Sequence, residues 1–130
     1  MKKWFKKDDG QAMVELALIL PVLLLIIMGI FEFGFMFNNY LTLSNVSREA
    51  ARYASLGGTD AQAAALAIEI APNLDSDKLT IVITPTQADR GRGDSLKVVV
   101  TYQYNLLTPF LDGVIGNGIP LKAETVMRVE

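Results

Sequence analysis

The sequence predicts an α+β fold: one long N-terminal helix packed on a small three-stranded antiparallel sheet, with one short extra helix. Three observations support this. Residues 16–37 are apolar apart from Glu32, and an apolar stripe at helical spacing continues beyond them. The C-terminal half then holds three short stretches that alternate apolar and polar side chains between turn-rich links.

The apolar run has 22 residues and no charge but Glu32. As a helix it would measure about 33 Å at roughly 1.5 Å per residue, enough to cross a bilayer core. A cleaved secretory signal has an apolar region of only about 7–15 residues followed by a small-residue cleavage site. Here Phe31, Phe33, Phe35 and Phe37 fill that place, so a retained membrane helix is expected. Lys2, Lys3, Lys6 and Lys7 precede the run, and the nearest positive charges after it are Arg48 and Arg52. Positive charge stays on the cytoplasmic side, which places the N-terminus inside and everything after about residue 37 outside. The four phenylalanines and Tyr40 spread around the helix, as an aromatic collar at the outer interface would. Glu32 falls within that collar, where headgroup water is expected to solvate it.

Leu43, Val46, Ala50 and Tyr53 extend the helix as one apolar stripe, with Ser47, Arg48 and Arg52 largely off it. Gly57-Gly58 ends it, because glycine adopts backbone angles that other residues avoid. Thr59 and Gln62 have capping-box spacing, which opens a short alanine-rich helix that Pro72 closes. Strands are expected over residues 79–84, 96–104 and 121–129. In the last, Leu121, Ala123, Thr125, Met127 and Val129 share one face. The links 87–95 and 105–120 read as loops. Three strands bury too little alone, so the amphipathic part of the long helix should cover them, and a simple meander is the default order. The expected organisation is a basic leader at 1–10, a transmembrane helix at 11–37, its amphipathic continuation at 38–56 and an extracytoplasmic domain at 57–130.

Composition narrows the function. The formal net charge of −2 argues against nucleic-acid binding. With no cysteine and no histidine, the chain has no disulfide, no thiolate or imidazole metal ligand and no Cys/His or Ser/His catalytic pair. No nucleophile–base pair is recognisable. Arg92-Gly93-Asp94 spells an adhesion tripeptide at the level of chance in a polar turn, and Asn45-Val46-Ser47 is formally a glycosylation sequon but falls on the expected helix and reads as silent. Asp75, Asp77, Asp89 and Asp94 fit no calcium loop and read as solvated turns.

The informative segment is Gly10-Gln11-Ala12-Met13-Val14-Glu15-Leu16. A basic leader ends in glycine, a glutamate stands five positions later, and an apolar helix begins at once. The segment resembles the processing site of class III signal peptides, where a membrane peptidase cuts after the glycine and the helix is kept. A cut after Gly10 would free an amine on Gln11 at a helix start, whose unpaired N–H groups and partial positive charge favour a carboxylate such as Glu15. An unpaired carboxylate in lipid costs about 2.5–3.5 kcal/mol at the bilayer centre and less towards the interface. Pairing with the amine of a neighbouring subunit would offset this only after assembly, so Glu15 would set packing register. The plainer reading is that Glu15 marks the water-facing end of the helix. Pro21 either loosens the turn for bending during packing or makes an ordinary kink.

Taken with Leu20-Pro21, Gly29-Ile30-Phe31-Glu32-Phe33-Gly34 and Ser47-Arg48-Glu49-Ala50-Ala51-Arg52-Tyr53-Ala54, this segment resembles the TadE-like family. Those proteins are minor pilins, or pseudopilins, of the tight-adherence (Flp, type IVc) pilus. The resemblance covers about residues 10–54. It implies a pilin-like fold and a non-enzymatic part in pilus assembly, with processing at Gly10 and Gln11 and assembly contacts at Glu15 and Pro21. The implied partners are the membrane, crossed once, a prepilin peptidase, and other pilin and pilus-assembly subunits. No cofactor, metal, nucleic acid or small-molecule substrate is implied. The expected location is the cytoplasmic (inner) membrane, with the C-terminal domain outside. Two departures stand out: major pilins usually have an aromatic residue where this chain has Leu16, and phenylalanine where Gln11 would become the first residue. The first favours a minor component. The alternative is an uncleaved single-pass protein whose outer domain binds a ligand or partner.

Overall fold

The computed structural model describes residues 7–130. The leader lysines Lys2, Lys3 and Lys6 lie outside the described residues. Helix α1 runs Lys7–Ser55, 49 residues with Pro21 inside it. It therefore begins earlier than the apolar run and takes in Gly10. The chain divides into two compact units, the first ending at Gly34 and the second running Phe35–Glu130, so the boundary falls within α1.

In the first unit α1 is bare. Its most apolar stretch has no buried residue, and that stretch is long and apolar enough to cross a membrane. Met13, Leu18, Ile19 and Phe33 are each more than half exposed. One residue departs from this pattern. Glu32, expected beside headgroup water, is 5 % exposed and is engaged in an interaction, as a carboxylate withdrawn from water must be.

The second unit has its own core. Helix α2 spans Asp60–Glu69, strand β1 Leu79–Thr84, β2 Ser95–Tyr104, helix α3 Pro109–Ile115 and β3 Ile119–Arg128, with a single 3-10 turn at Ser76–Lys78 before β1. The strands form an antiparallel meander in the order β1-β2-β3. Val100 is opposite Ile81 on one side and Ala123 on the other. β2 is central and buries Leu96, Val98, Val100, Tyr102 and Tyr104, every second residue as strand geometry requires. The edge strands alternate in the same way, and Lys122, Glu124 and Arg128 face out.

Leu43, Val46, Ala50 and Ala51 join Val98, Val100 and Ala123 in the main core, with Met36, Leu106 and Leu121 packed at its margin. Ala54, Ala63 and Leu96 form a smaller cluster that Val129 borders. Small residues on α1 let its backbone approach the sheet. Burying a side chain such as Leu43 contributes about 1.5–3 kcal/mol. The buried stripe is rotated from the expected one. Ser47 and Ala54 lie in it, whereas Tyr53 is 38 % exposed and its hydroxyl donates to Gln62 Oε1 at 3.4 Å. Ser47 belongs inside because its hydroxyl is satisfied there: it donates to the Ser44 carbonyl at 2.9 Å and pairs with Thr125 Oγ1 at 2.7 Å.

The helix stop follows the glycine argument. Gly57 has φ +93°, and a Cβ on Gly58 would collide with the Tyr53 ring and its carbonyl oxygen. Thr59 caps α2 through the expected box, accepting from Gln62 N while the Gln62 side chain accepts from Thr59 N. α2 ends at Glu69 rather than at Ala71. The link 105–120 is not wholly a loop. Pro109 sits at the first helical position, where its missing N–H costs nothing, and α3 follows to Ile115.

Candidate functional site

The residues singled out near the N-terminus all lie on α1, and all are exposed. Nothing stands within 4 Å of where a Cβ on Gly10 would be. Its backbone is nonetheless helical, so the Gly10–Gln11 bond sits inside a helical turn of the intact chain. Glycine lowers helix stability by about 0.5–1 kcal/mol relative to alanine, which makes this a weak point near the start of α1. Gln11 Nε2 donates to Glu15 Oε1 at 3.2 Å, one turn along. The side-chain amide thus occupies the carboxylate from the position where a cut would place a charged amine.

The chemistry available to this arrangement is pairing. Met13, Val14, Leu16 and Leu18 around Glu15 are 74 %, 61 %, 61 % and 71 % exposed, so the carboxylate stands among bare apolar side chains. An amide hydrogen bond satisfies one lone pair and leaves the charge uncompensated, whereas an ammonium would satisfy both needs. Six residues further on, Pro21 lacks the N–H that the Ala17 carbonyl would otherwise accept, yet α1 continues through it.

The second unit brings none of the secondary motifs into a site. Asp94 Oδ2 accepts from Gly91 N at 2.7 Å, which ties the Arg92-Gly93-Asp94 carboxylate back into its own turn. Asp75 caps the 3-10 turn through Asp77 N, and Asp89 accepts from the Thr86 hydroxyl at 2.7 Å. Among the described residues no group of three His, Cys, Asp or Glu side chains is placed to hold a metal. An open depression of about 580 Å³ is lined by Arg52, Ser55, Leu56, Met127, Arg128 and Glu130. On the solvent face of the sheet, Glu124 sits between Lys97 Nζ at 3.1 Å and Lys122 Nζ at 3.7 Å. The hydrogen bond and charge of Lys97, with a smaller contribution from Lys122, hold its carboxyl below the usual glutamate range.

Two features were not legible from the pattern of residues. Asp60, in the first turn of α2, binds Gln87 N at 3.0 Å and pairs with the Arg90 guanidinium, whose side chain is only 4 % exposed. This clamp joins residues 30 apart, and no local spacing announces it. The other is the exposed apolar face of α3, described below.

Residues 10–52 match the model of the TadE-like protein family, the family that the motifs of the sequence resemble. The match covers about a third of the chain: Gly10, Glu15 and Pro21, the rest of the apolar run and most of the amphipathic part of α1. The similarity is to the TadE-like family over that segment of α1, and residues 53–130 lie outside the match. No curated protein and no solved structure matches the chain.

Proposed function

We propose that this chain is a minor pilin of the tight-adherence pilus, anchored by the first half of α1 and processed between Gly10 and Gln11. The observation that carries this reading is Glu15, an exposed carboxylate on a bare apolar helix that an amine at Gln11 would lie beside. In the bilayer the residues after about 37 lie outside and the leader inside, following the lysine asymmetry. Before cleavage the Gln11 amide holds Glu15. After cleavage the new N-terminus exposes unpaired backbone N–H groups at the helix start, and Glu15 pairs with that terminus or with a neighbour's. The reaction belongs to the peptidase. This chain supplies a scissile bond at a glycine, which weakens the helix there, and a carboxylate that sets how subunits pack.

The test is the intact mass of the membrane-extracted protein, made with and without a prepilin peptidase. Loss of residues 1–10, leaving a chain that begins at Gln11, supports the processed pilin. An unchanged mass beside an active peptidase rejects processing. That result would favour the second reading, an uncleaved membrane anchor with an outer partner-binding domain. The helical conformation of Gly10 and Gln11 is the observation that speaks for it.

A further inference from the structure

α3 presents apolar side chains to the outside: Phe110 is 66 %, Val114 72 % and Ile115 51 % exposed, and Leu107 just before it is 61 % exposed. Phe110, Leu111, Val114 and Ile115 fall on one arc of the helix, and Asp112 falls off it. Asp112 is the only charged residue between 105 and 120. A patch this apolar with so little charge is not an ordinary solvent face.

Its place in the second unit is fixed by two contacts. Ser47 Oγ meets Thr125 Oγ1 at 2.7 Å, and Glu130 N donates to the Ser55 carbonyl at 3.0 Å, so α1 runs alongside β3 in the same direction. From Thr125 back to Ile119 is about 20 Å of strand, which matches about 13 helical residues and leads from Ser47 back to about Phe35. Met36 and Leu106 accordingly border the same core, and Tyr104 pairs with Ile119. The β2–β3 connection that carries α3 therefore projects from the end of the unit where Phe35 lies. Phe35, Phe37 and Tyr40, all exposed, belong to that same end.

From this geometry we infer that α3 is a membrane-surface element: its Phe110–Val114 face rests in the outer headgroup region of the bilayer. The inference takes the membrane-anchored reading above as its premise. The occupant is lipid because this end of the unit is where the apolar run joins it, and because the exposed aromatic side chains of Phe35, Phe37 and Tyr40 stand toward that same end. Seven helical residues span only about 10 Å, too short to cross a bilayer and suited to lying flat on it. The contact would hold the outer unit against the membrane before assembly and would be given up on leaving it.

The experiment uses the full chain with Trp4, its single tryptophan, replaced by phenylalanine. One tryptophan is then introduced at a time: Ile26→Trp in the apolar run, Phe110→Trp on α3, and Val126→Trp on the exposed sheet face. Each variant is reconstituted in phosphatidylethanolamine–phosphatidylglycerol vesicles with or without acyl-brominated phosphatidylcholine, and far-UV circular dichroism confirms folding. Strong quenching is expected for Ile26→Trp, and quenching of Phe110→Trp several-fold above that of Val126→Trp. If Ile26→Trp is quenched and Phe110→Trp matches Val126→Trp, the lipid contact is wrong while the anchor stands. If Ile26→Trp is not quenched, the anchor reading fails and this inference with it. A blue-shifted Phe110→Trp that lipid bromine does not quench, and whose shift fades on dilution of the chain, would assign the patch to another protein subunit and overturn the lipid assignment.

Discussion

The two halves of α1 share one secondary structure and differ in everything that surrounds it. Before Gly34 the helix is leucine- and isoleucine-rich on all sides, and almost every large side chain is exposed. Between Leu43 and Ser55 the exposed and buried residues separate, and the buried arc is built of Leu43, Val46 and small residues that let the sheet approach. A helix that is apolar all round has no solvent face to turn outward, so water is the wrong solvent for it. A helix with a sorted arc needs only one protein partner. The comparison shows that helix propensity decides the conformation and that side-chain distribution decides the solvent.

Paired substitutions test that contrast most severely. Leu43→Ala, at a site with 0 % exposure, is expected to lower the unfolding free energy of the second unit by about 2–5 kcal/mol, as large-to-small core changes do. Leu18→Ala, at 71 % exposure, should leave the same denaturant transition of the detergent-solubilised protein within about 0.5 kcal/mol. Equal losses in the two variants would mean that the first half of α1 also stabilises the folded domain.

A smaller effect is expected where the buried arc carries a hydroxyl. Ser47→Ala removes the partner of Thr125 and should cost about 1–3 kcal/mol, measured in the same transition. Adding Thr125→Val should recover part of that loss, because the orphaned hydroxyl then disappears. A strictly additive double mutant would show that the two groups do not interact.

The smallest effect lies on the solvent face of the sheet. Glu124 has its folded-state pKa lowered, chiefly by Lys97, so its contribution to stability is present above the unfolded-state pKa and lost as pH falls through the folded one. The melting temperature of Glu124→Gln should therefore fall slightly below that of the wild type near pH 7. The gap should close in the acid range below the ordinary glutamate value. Salt should shrink the gap as well, since both partners are exposed. A gap that persists in acid would point to packing of the side chain rather than its charge.

The long helix, its glycine stop, the Thr59 capping box, the three strands and their faces were legible because each is written in local spacing. The apolar run and the segment from Gly10 to Pro21 were legible for the same reason, and they coincide with the family match. What escaped was set by partners distant in sequence. Tyr53 stood on the expected stripe, yet Ser47 is buried in the arc because Thr125, 78 residues away, supplies its hydrogen bond. Asp60, in the first turn of α2, pairs with Arg90 in the link between β1 and β2. The link 105–120 showed prolines and glycines but gave no sign that Pro109 would start a helix instead of breaking one.

The sequence alone determined the elements and the solvents they require, because a period of two or of 3.6 and a run of apolar residues act through near neighbours and need no fold to be read. Tertiary structure decided which residues of the amphipathic arc turn inward, which polar groups are satisfied far from their own turn, and where α3 projects. Those outcomes depend on a sheet placed against a helix, and only that placement fixes the distance between Ser47 and Thr125.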